Sequence, residues 1–400
     1  MKIIHTGDWH IGKIVNEFSM IKDQRYVLNE LIEIIKREKP DVLVIAGDIY
    51  DRSIPPVEAV ELLNNVFNKI LIDNKVKIVA ISGNHDSGER VGFGSEILEK
   101  EGLFISGTLV NGVKNISIKD EFGDVNFYLV PYSDPAIIRR LYQNESIKNH
   151  NDVMKTIVDE INKTLDINSR NVIIAHGYIT LNREEALKSS EDEKYNVAEL
   201  EVSDSERPLS IGGTELIDGG IFNNFDYVAL GHLHGRQKVG RETMRYSGSL
   251  MKYSFSEINH KKGVTIIEID GEKNINIKCE ELNPLHNMRI IRGPIDELIK
   301  AANLEDGSCN DYIQAIITDE GELIDPIGKL RNTYPNIMLI KREEKKNIST
   351  SNTSASEGYK SKSELELFKE FYGSLGDGQF DEKKEELITD IINEVLRKEI

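Results

Sequence analysis

The feature that most constrains this chain is a set of five short apolar segments, each of which runs directly into a polar cluster. The segments are rich in β-branched residues and span residues 3–6, 42–46, 76–81, 172–175 and 227–230. Continuous apolar runs of this length are typical of strands that are buried on both faces. Between them, residues 24–38 and 57–71 carry apolar side chains at helical spacing. This alternation of strands and helices predicts an α/β fold.

Each of the five segments ends at side chains of the types that bind divalent metals in proteins. In chain order these are Asp8 and His10, then Asp48, then Asn84 and His85, then His176, and finally His232 and His234. Ligands of α/β sheets gather at the carboxyl ends of strands, so we expect the five clusters to face one crevice. Carboxylate, imidazole and amide ligands without a thiolate suit manganese, iron or zinc. The set is large enough for two ions, which can activate water and stabilise the attacked and leaving oxygens of a phosphate ester.

Each cluster also has an ordinary structural interpretation. A single Asp-x-His occurs often by chance, and Gly-Asn-His-Asp is commonly a turn in which Asn and Asp bond to the backbone. The metal-site interpretation depends on all five clusters occurring in order, each after a buried strand. Four other histidines lie outside the clusters and are predicted not to bind metal: His5, His150, His260 and His286.

The whole chain divides into four predicted parts. Residues 1–280 form the catalytic domain, in which residues 183–207 read as an acidic loop. Residues 281–344 have helix candidates and strand candidates, enough for a small α+β unit. Residues 345–363 are dominated by Ser, Thr, Asn and Lys and predict a flexible linker. Residues 364–400 regain helical periodicity and predict a helical tail.

Composition narrows the functional classes. Of 400 residues, 39% are hydrophobic and 30% charged, which is typical of a globular protein. No apolar run reaches the ~20 residues that cross a bilayer, and the N-terminus does not resemble a secretory signal. The two cysteines are predicted to be free thiols in a cytoplasmic protein. A net charge of −18 disfavours an autonomous nucleic-acid binder. Metal ions would nevertheless neutralise carboxylates at the site, and a partner could supply basic surface.

The order D-x-H, G-D-x-x-D, G-N-H-D, H, G-H-x-H resembles that of the calcineurin-like metallophosphoesterase superfamily. Longer stretches narrow the resemblance: GNHDSGERVGFGSEIL, SDSERPLSIGGTEL, FDYVALGHLHGRQ and RYSGSLMKYSFSE. These are similar to the SbcD family, which supplies the nuclease subunit of the bacterial SbcCD complex. The resemblance covers about residues 1–345. Gly88 and Leu250 depart from the family pattern, which concerns only local loop shape because neither is a predicted ligand.

The resemblance implies a sandwich of two β-sheets flanked by helices, with residues 281–344 as a capping domain and a C-terminal helical tail. It assigns the first metal ion to Asp8, His10, Asp48 and His234, and the second to Asp48, Asn84, His176 and His232. It makes His85 the catalytic acid, a role that fits the imidazole pKa of about 6.5. Asp51 and Asp86 are expected to orient imidazoles.

The resemblance also implies manganese-dependent cleavage of DNA in repair, recombination and replication, as a 3′-to-5′ exonuclease on duplexes and an endonuclease on single strands and hairpins. Implied partners are a coiled-coil ATPase of the SbcC type and a second copy of the chain, within a heterotetramer. Helices at 57–71 and 91–101 would form the dimer contact, with sheet packing as an alternative role. The amphipathic tail that follows the linker would suit docking on the ATPase, with folding back on its own body as the alternative. Candidate DNA-backbone contacts are Arg90, Arg236, Lys238, Arg245, Lys252 and Tyr253. Two other functions stay open: a phosphatase or phosphodiesterase for small phosphoesters, and a non-catalytic scaffold for an ATPase at DNA ends.

Overall fold

In a computed structural model of the chain, the described residues are 1–109, 112–181, 183, 200–206, 215–302, 308–319, 321, 323–343, 365–366, 368–369, 372 and 380–398. Met1–Glu343 form one compact unit and Glu344–Ile400 form another. The predicted linker, residues 345–363, lies outside the described residues, as does most of the predicted acidic loop. The predicted boundary at residue 280 stays a prediction.

The strands match the sequence prediction closely. In chain order they are β1 (Lys2–Thr6), β2 (Ile14–Val15), β3 (Phe18–Ser19), β4 (Val42–Ala46), β5 (Lys77–Ile81), β6 (Leu103–Ser106), β7 (Lys114–Asp120), β8 (Gly123–Val130), β9 (Arg170–His176), β10 (Tyr178–Thr180), β11 (Leu216–Asp218), β12 (Tyr227–Gly231), β13 (Gln237–Val239), β14 (Arg241–Tyr246), β15 (Gly263–Ile269), β16 (Ile275–Glu281), β17 (Met288–Gly293), β18 (Tyr312–Ile317) and β19 (Ile337–Arg342). All five predicted buried strands are confirmed, with ends that differ by at most two residues.

Two six-stranded sheets form the centre of the first unit. The first has the order β16-β15-β1-β4-β5-β6, and its strands β1, β4, β5 and β6 are parallel. The second has the order β13-β14-β12-β9-β8-β7, in which β14, β12, β9 and β8 are parallel. Antiparallel strands close both edges of each sheet except at β6.

The helices are, in chain order, α1 (Ile21–Glu38), α2 (Val57–Asn68), α3 (Gly88–Val91), α4 (Ser95–Leu98), α5 (Pro135–Tyr142), α6 (His150–Asn162), α7 (Ile295–Ala302), α8 (Pro326–Arg331) and α9 (Glu382–Lys398). Helix α1 begins three residues before the predicted start and ends at Lys39, whose left-handed φ of 49° closes the last turn. Helix α2 ends at Asn68 and continues as one π-helical turn, Lys69–Asp73. The helix predicted at 91–101 is wrong, since that stretch forms short pieces interrupted at Gly92–Gly94.

The two sheets pack face to face. Alternate residues of β1, β4 and β5 meet those of β8, β9 and β12 in one fully buried apolar layer, which includes Val44, Val79, Phe127 and Ile174. The outer face of the first sheet packs on α1 and α2, and that of the second on α5 and α6. Near-continuous burial on both faces explains why these strands read as unbroken apolar runs. The predicted α/β sandwich is confirmed.

The C-terminal α+β unit, residues 288–342, is a parallel sheet of order β17-β18-β19 with α7 and α8. It has a small core of its own, to which Leu298, Ile313 and Tyr334 belong. Its other face joins the core around α1 through Met288 and Tyr312. No helix within the described ranges has both the length and the apolar character needed to span a membrane.

Candidate metal centre

The polar clusters follow strands of both sheets. Strands β1, β4 and β5 are parallel neighbours in the first sheet, and β9 and β12 are parallel neighbours in the second. Because the sheets pack face to face, the carboxyl ends of all five strands open onto the same rim. The eight predicted site residues meet there, and all but the half-buried Asn84 are buried.

One half of the centre contains His10, His234 and Asp48. The Nε2 atoms of His10 and His234 lie 3.0 Å apart, and the His10 Nε2 is 3.7 Å from Asp48 Oδ2. The Asp8 carboxylate lies close to Asp48 and His176, with potential ligand atoms of the three within 4.8 Å of one another, and its Oδ1 accepts a hydrogen bond of 2.9 Å from the backbone N–H of His232. Side-chain donors from three strand ends therefore converge within a few ångströms.

The other half contains Asn84, His176 and His232. Asn84 Oδ1 lies 2.9 Å from His176 Nε2 and 3.2 Å from His232 Nδ1. His176 Nε2 is also 3.4 Å from Asp48 Oδ2, the oxygen that faces His10 in the first half. Asp48 is thus placed between the two halves, which is the position that a bridging carboxylate requires.

The backbone around the centre is unusual. Asp8, His10 and Asp48 have left-handed φ values of 53°, 46° and 51°, a conformation that non-glycine residues rarely adopt. Space is equally restricted, because a Cβ at Gly47 would lie 2.4 Å from His176 Nδ1 and one at Gly83 would lie 2.1 Å from Asp48 Oδ1. Glycine beside the ligands is therefore needed for the ligands to approach one another.

Hydrogen bonds fix which ring nitrogen of the predicted ligand histidines faces inward. His176 Nδ1 lies 2.9 Å from the Ala46 carbonyl, which can only accept, so Nδ1 carries the hydrogen and Nε2 faces the other donors. His234 Nδ1 lies 2.7 Å from Ser205 Oγ and 3.3 Å from Glu257 Oε1, which leaves its Nε2 toward His10. Bonds of this kind orient metal-binding imidazoles.

Burial makes the electrostatics of the centre strongly non-aqueous. Burial raises the pKa of the Asp8 carboxyl to about 8. Burial also opposes charge on Asp48 and His176, but their mutual attraction holds the pKa of Asp48 well below its usual value and raises that of His176 to about 9. Burial lowers the pKa of His232 well below its usual value. In the metal-free protein, these shifts favour the protonated forms of Asp8 and His176.

A second layer around His234 was not predicted from the sequence. Glu257 is fully buried, forms an ion pair of 2.6 Å with Lys262, and accepts hydrogen bonds from Ser203 and Ser205. Lys262 in turn donates to the His234 carbonyl. The only local signal is that Glu257 lies in the SFSE stretch that carried the family resemblance.

Glu206 supports the same ligand from another side. Its Oε1 accepts the backbone N–H of His234, and its Oε2 accepts that of Ser203 at 3.1 Å. Burial raises the pKa of Glu206 to about 8. The spacing of Ser203 and Glu206 matches a capping box, which could have indicated a tight turn but not its contact with His234.

His85 lies at the edge of the centre, with its ring 4.6 Å from that of His10 between centroids. Its Nδ1 is 2.8 Å from the Asp51 carbonyl, so Nδ1 donates and Nε2 is left for other contacts. The Asp51 side chain accepts from Lys13 at 2.7 Å and lies 3.7 Å from His10 Nδ1, beyond hydrogen-bond range. Asp51 therefore orients an imidazole through its backbone.

The expectation for Asp86 was wrong. Its carboxylate accepts from the backbone N–H groups of Ile49, Tyr50 and Gly83 and contacts no imidazole. Asp86 joins the loops after β4 and β5, because one carboxylate can satisfy several amides that those turns leave unpaired. Burial raises its pKa to about 7.

Two of the six predicted DNA contacts are also placed differently than expected. Tyr253 is buried, and its hydroxyl donates to the Trp9 carbonyl, so it does not face a substrate. Lys252 is half-buried and donates to Ile258 O and Asn287 Oδ1. Arg90 and Lys238 are exposed as predicted, while Arg236 and Arg245 are partly buried.

The residues present fit divalent cations. Among the described side chains, Asp8 Oδ2 and His10 Nδ1 are buried without a hydrogen-bond partner. An ionised carboxylate oxygen buried in this way is unfavourable unless a cation compensates it. Two groups of three side chains bring potential ligand atoms within 4.8 Å of one another: Asp8, Asp48 and His176, and His10, Asp51 and His85. The nitrogen and oxygen donors suit a borderline or hard divalent ion.

Comparison with known proteins shows the family of the chain. The family model described as calcineurin-like phosphoesterase matches residues 1–236, and the one described as type 5 capsule protein repressor C-terminal domain matches residues 284–374. A curated relative, the SbcD subunit of the nuclease SbcCD from Staphylococcus epidermidis, is 33% identical over 340 residues, which cover 85% of each chain. The chain belongs to the SbcD family. It is therefore a metal-dependent phosphoesterase, and members of this superfamily act with divalent ions.

Two solved structures are similar at a lower level. One is GAP50, the anchor in the inner membrane complex of Plasmodium, with 11% identity over 86% of this chain and 98% of that chain, and a TM-score of 0.39. The other is a dimetal phosphatase from Danio rerio, with 12% identity over 71% of this chain and 98% of that chain, and a TM-score of 0.38.

Proposed function

We propose that this chain is the two-metal nuclease subunit of a DNA-processing complex, with 3′-to-5′ exonuclease activity on duplexes and endonuclease activity on single strands and hairpins. The observation that carries the proposal is the convergence of eight side chains from five strand ends around the buried Asp48. The curated relative is itself named as part of a nuclease. Residues 1–280 would carry the reaction, and residues 281–344 would cap the substrate.

The two halves of the centre suggest the division of ligands. We assign the first ion to Asp8, His10, Asp48 and His234, and the second to Asp48, Asn84, His176 and His232. Manganese is the ion that the family resemblance implies, and the mixed imidazole and oxygen donors are compatible with it. Two bound ions would supply Lewis-acid stabilisation of the phosphate and an activated water.

His85 is the proposed general acid. Its Nδ1 donates to the Asp51 carbonyl, which holds the ring at the edge of the centre with Nε2 unoccupied by any described bond. A protonated Nε2 at that position can donate to the leaving alkoxide of a phosphodiester. Acid catalysis by His85 is thus compatible with its fixed orientation.

The charge of the chain favours shared DNA binding. With a net charge of −18, the protein lacks the basic excess of an autonomous DNA binder. The exposed Arg90 and Lys238 are the better candidates for backbone contacts, and Lys238 is already paired with Glu242. We therefore propose that an SbcC-type coiled-coil ATPase supplies most of the DNA-binding surface. We also propose that the complex acts in the cytoplasm.

Exposed apolar side chains suggest where partners dock. Near α2 and α4, Val57 is 75% exposed, Phe93 85% and Ile97 76%, and exposed apolar residues that lie together are typical of protein–protein contacts. We propose that these residues form the homodimer contact. In the second unit, Leu387 and Ile391 are exposed and lie four residues apart on α9. An amphipathic helix of this kind suits a groove on the ATPase coiled coil.

The test is incubation of the purified chain with labelled blunt duplex and hairpin DNA, with manganese, and with or without the ATPase and ATP. We expect metal-dependent cleavage that Asp48→Asn abolishes. Rapid hydrolysis of a chromogenic monoester without any strand cleavage would favour a small-molecule phosphatase. DNA processing in the cell that is unchanged by Asp48→Asn would favour a scaffold.

A further inference from the structure

The loop that carries Asp8 and His10 has a backbone that needs external support. The residues Asp8, His10 and Gly12 alternate in left-handed conformations, with φ of 53°, 46° and 89°. Such conformations are strained for non-glycine residues and persist only where the surroundings hold them. On one side the loop bonds to the strand end of β4, through Asp8 N to Gly47 O and His10 N to Asp48 O.

On the other side, the loop is held by two buried side chains that come from elsewhere. Gln24 Nε2 donates to the His10 carbonyl at 2.7 Å, and Gln24 Oε1 accepts the Gly12 N–H at 2.9 Å. Tyr253 donates to the Trp9 carbonyl at 2.5 Å and accepts from Gln24 Nε2 at 3.0 Å. Gln24 is only 3% exposed, so water does not compete for these bonds.

Tyr253 also contacts the ligands themselves. Its ring centroid lies 5.7 Å from that of His10 and 5.9 Å from that of His234, edge to face in both cases. The loop that carries Asp8 and His10 is therefore positioned by Gln24 and Tyr253 as well as by its own strand.

The residue before Gln24 makes a separate set of bonds to the C-terminal α+β unit. Asp23 is 1% exposed, and its Oδ2 accepts from the Tyr312 hydroxyl at 2.7 Å. Its Oδ1 accepts from His286 Nδ1 at 2.9 Å and from the His286 N–H at 3.2 Å. Tyr312 begins β18, and His286 lies two residues before β17.

Asp23 and Gln24 are adjacent in the first turn of α1, a rigid helix of 18 residues. One side chain binds the C-terminal α+β unit, and the other binds the ligand loop. A displacement of the unit that pulls on Asp23 must therefore move Gln24, and with it the carbonyl of His10. Because both side chains are buried, this link does not depend on mobile surface groups.

We propose that Asp23 and Gln24 are positioning residues that couple the seating of the C-terminal α+β unit to the geometry of the first metal site. DNA or a protein that shifts this unit would thereby change metal binding at the Asp8–Gly12 loop. The inference rests on the proposed metal site, but it does not require that the substrate be DNA.

The test is titration of the metal-free protein with Mn²⁺ alone, followed by calorimetry and by the electron paramagnetic resonance spectrum of free and bound Mn²⁺. Gln24→Met preserves the length of the side chain and removes its hydrogen bonds, and we expect affinity at the weakened site to fall about 10-fold or more. Tyr312→Phe removes only the hydroxyl that binds Asp23, and we expect a fall of about fivefold, as for one lost hydrogen bond.

Tyr334→Phe is the matched control. Tyr334 is a buried residue of the same α+β unit, and its hydroxyl donates to the Leu298 carbonyl within that unit. We expect Tyr334→Phe to destabilise the unit without changing Mn²⁺ affinity. Equal Mn²⁺ affinities of Tyr312→Phe and Tyr334→Phe would overturn the inference, whereas absence of any Mn²⁺ binding by the unmodified protein would overturn the proposed function.

A double variant tests the route of the coupling. If the effect of Tyr312 passes through Gln24, then Tyr312→Phe changes affinity little in a Gln24→Met background. Full additivity would contradict the relay. If Gln24→Met does not fold, Gln24→Asn replaces it, because Asn keeps a neutral amide and is too short to reach both the His10 carbonyl and the Gly12 N–H. We expect this replacement variant also to bind Mn²⁺ more weakly than the unmodified protein.

Discussion

At the scale of single residues, the metal centre depends on hydrogen bonds that decide how each imidazole is presented. His176 is held by the Ala46 carbonyl, His85 by the Asp51 carbonyl, and His234 by Ser205 and Glu257. His176 and His234 use these bonds to aim Nε2 inward, whereas His85 uses its bond to stay at the edge. In the proposed assignment, an imidazole is therefore a ligand or an acid according to where its Nε2 is placed, in the centre or at its edge.

This difference predicts the behaviour of two variants. His85→Gln should lower the turnover of DNA cleavage by about 100-fold or more, because a general acid contributes a factor of about 10²–10⁴. It should still bind two equivalents of Mn²⁺. Asp48→Asn should lose metal as well as activity, because Asp48 lies between both halves. Calorimetric titration with Mn²⁺ separates the two cases, and loss of metal by His85→Gln would argue against its role as acid.

The pH dependence of metal binding follows from the same residues. Burial raises the pKa of Asp8 to about 8, and Asp48 is the main partner that raises the pKa of His176, against burial, to about 9. These shifts favour the protonated forms of both groups, which must lose the proton to bind a cation. Mn²⁺ affinity should therefore rise as pH increases from 7 to 9, with release of protons. Titration in buffers of different ionisation enthalpy measures that release, and an affinity independent of pH would contradict the assignment.

At the scale of elements, a buried ion pair joins the strands of the second sheet. Arg170, at the start of β9, binds both oxygens of Asp120 at the end of β7, and their side chains are only 4% and 7% exposed. Arg170 also donates to the Gly123 carbonyl in the β7–β8 turn. The pair fixes the outer hairpin against the strand that delivers His176.

Removal of this pair should be costly. Arg170→Leu removes the two hydrogen bonds that Arg170 donates to Asp120, which keeps its ion pair with the Met1 α-ammonium at 2.6 Å. We expect the free energy of unfolding to fall by about 1.5–3 kcal/mol, as for lost hydrogen bonds to a charged group. The matched control is Lys36→Ala, which breaks an exposed pair with Glu33 and should change stability by less than about 0.5 kcal/mol. Urea unfolding of the metal-free proteins measures both changes, and equal effects would refute the prediction.

Low pH should reduce the difference in the free energy of unfolding between Arg170→Leu and the unmodified protein. Arg170 holds the pKa of Asp120 well below its usual value. The stabilisation is thus fully present above the usual carboxyl pKa of about 4 and is lost as pH falls toward the lower, folded-state pKa. Unfolding measured at pH 7 and at pH 3 should show a smaller gap between Arg170→Leu and the unmodified protein at the lower pH.

The elements were predictable from the sequence where local pattern decides structure. Strand β4 was predicted with its exact bounds, since an apolar run between polar turns has few alternatives. The start of α1 was placed too late because its first turn contains Asp23, whose burial depends on His286 and Tyr312, more than 260 residues away in sequence. Sequence periodicity contains no information on such distant contacts.

The same limit explains the errors at the site. The ligand types and their order were visible in the sequence, because each follows a strand. The hydrogen-bond partners of a buried carboxylate were not visible in the sequence. Asp86 accepts from backbone N–H groups, which any sequence would supply. Tyr253 was expected among DNA contacts because it flanks the polar clusters in sequence, but its hydroxyl donates to the Trp9 carbonyl. Glu257 and Gln24 were missed because their contacts, with His234 and with His10 and Gly12, cannot be seen in the local sequence pattern.

At the scale of the whole molecule, exposed apolar surface is the main sign of assembly. The first unit buries its own cores well, yet Val57, Phe93 and Ile97 are left more than 70% exposed. Short helical pieces replace the single helix that was predicted at 91–101, and they present Phe93 and Ile97 outward. An isolated chain gains nothing from such exposure, whereas a second copy could bury it.

The proposed dimer makes a direct prediction for mass. Phe93→Asp places a charge in the centre of the proposed contact, and two-fold symmetry would bring that charge into the interface twice. Light scattering after size exclusion should give twice the chain mass for the unmodified protein and the single chain mass for Phe93→Asp. Ile324→Asp is the matched control, because Ile324 is 81% exposed but lies in the C-terminal α+β region. If both variants remain dimeric, the contact lies elsewhere.

A Phe93→Asp monomer that binds Mn²⁺ with unchanged affinity would show that each metal centre is complete within one chain, as the single-chain origin of all eight site residues requires.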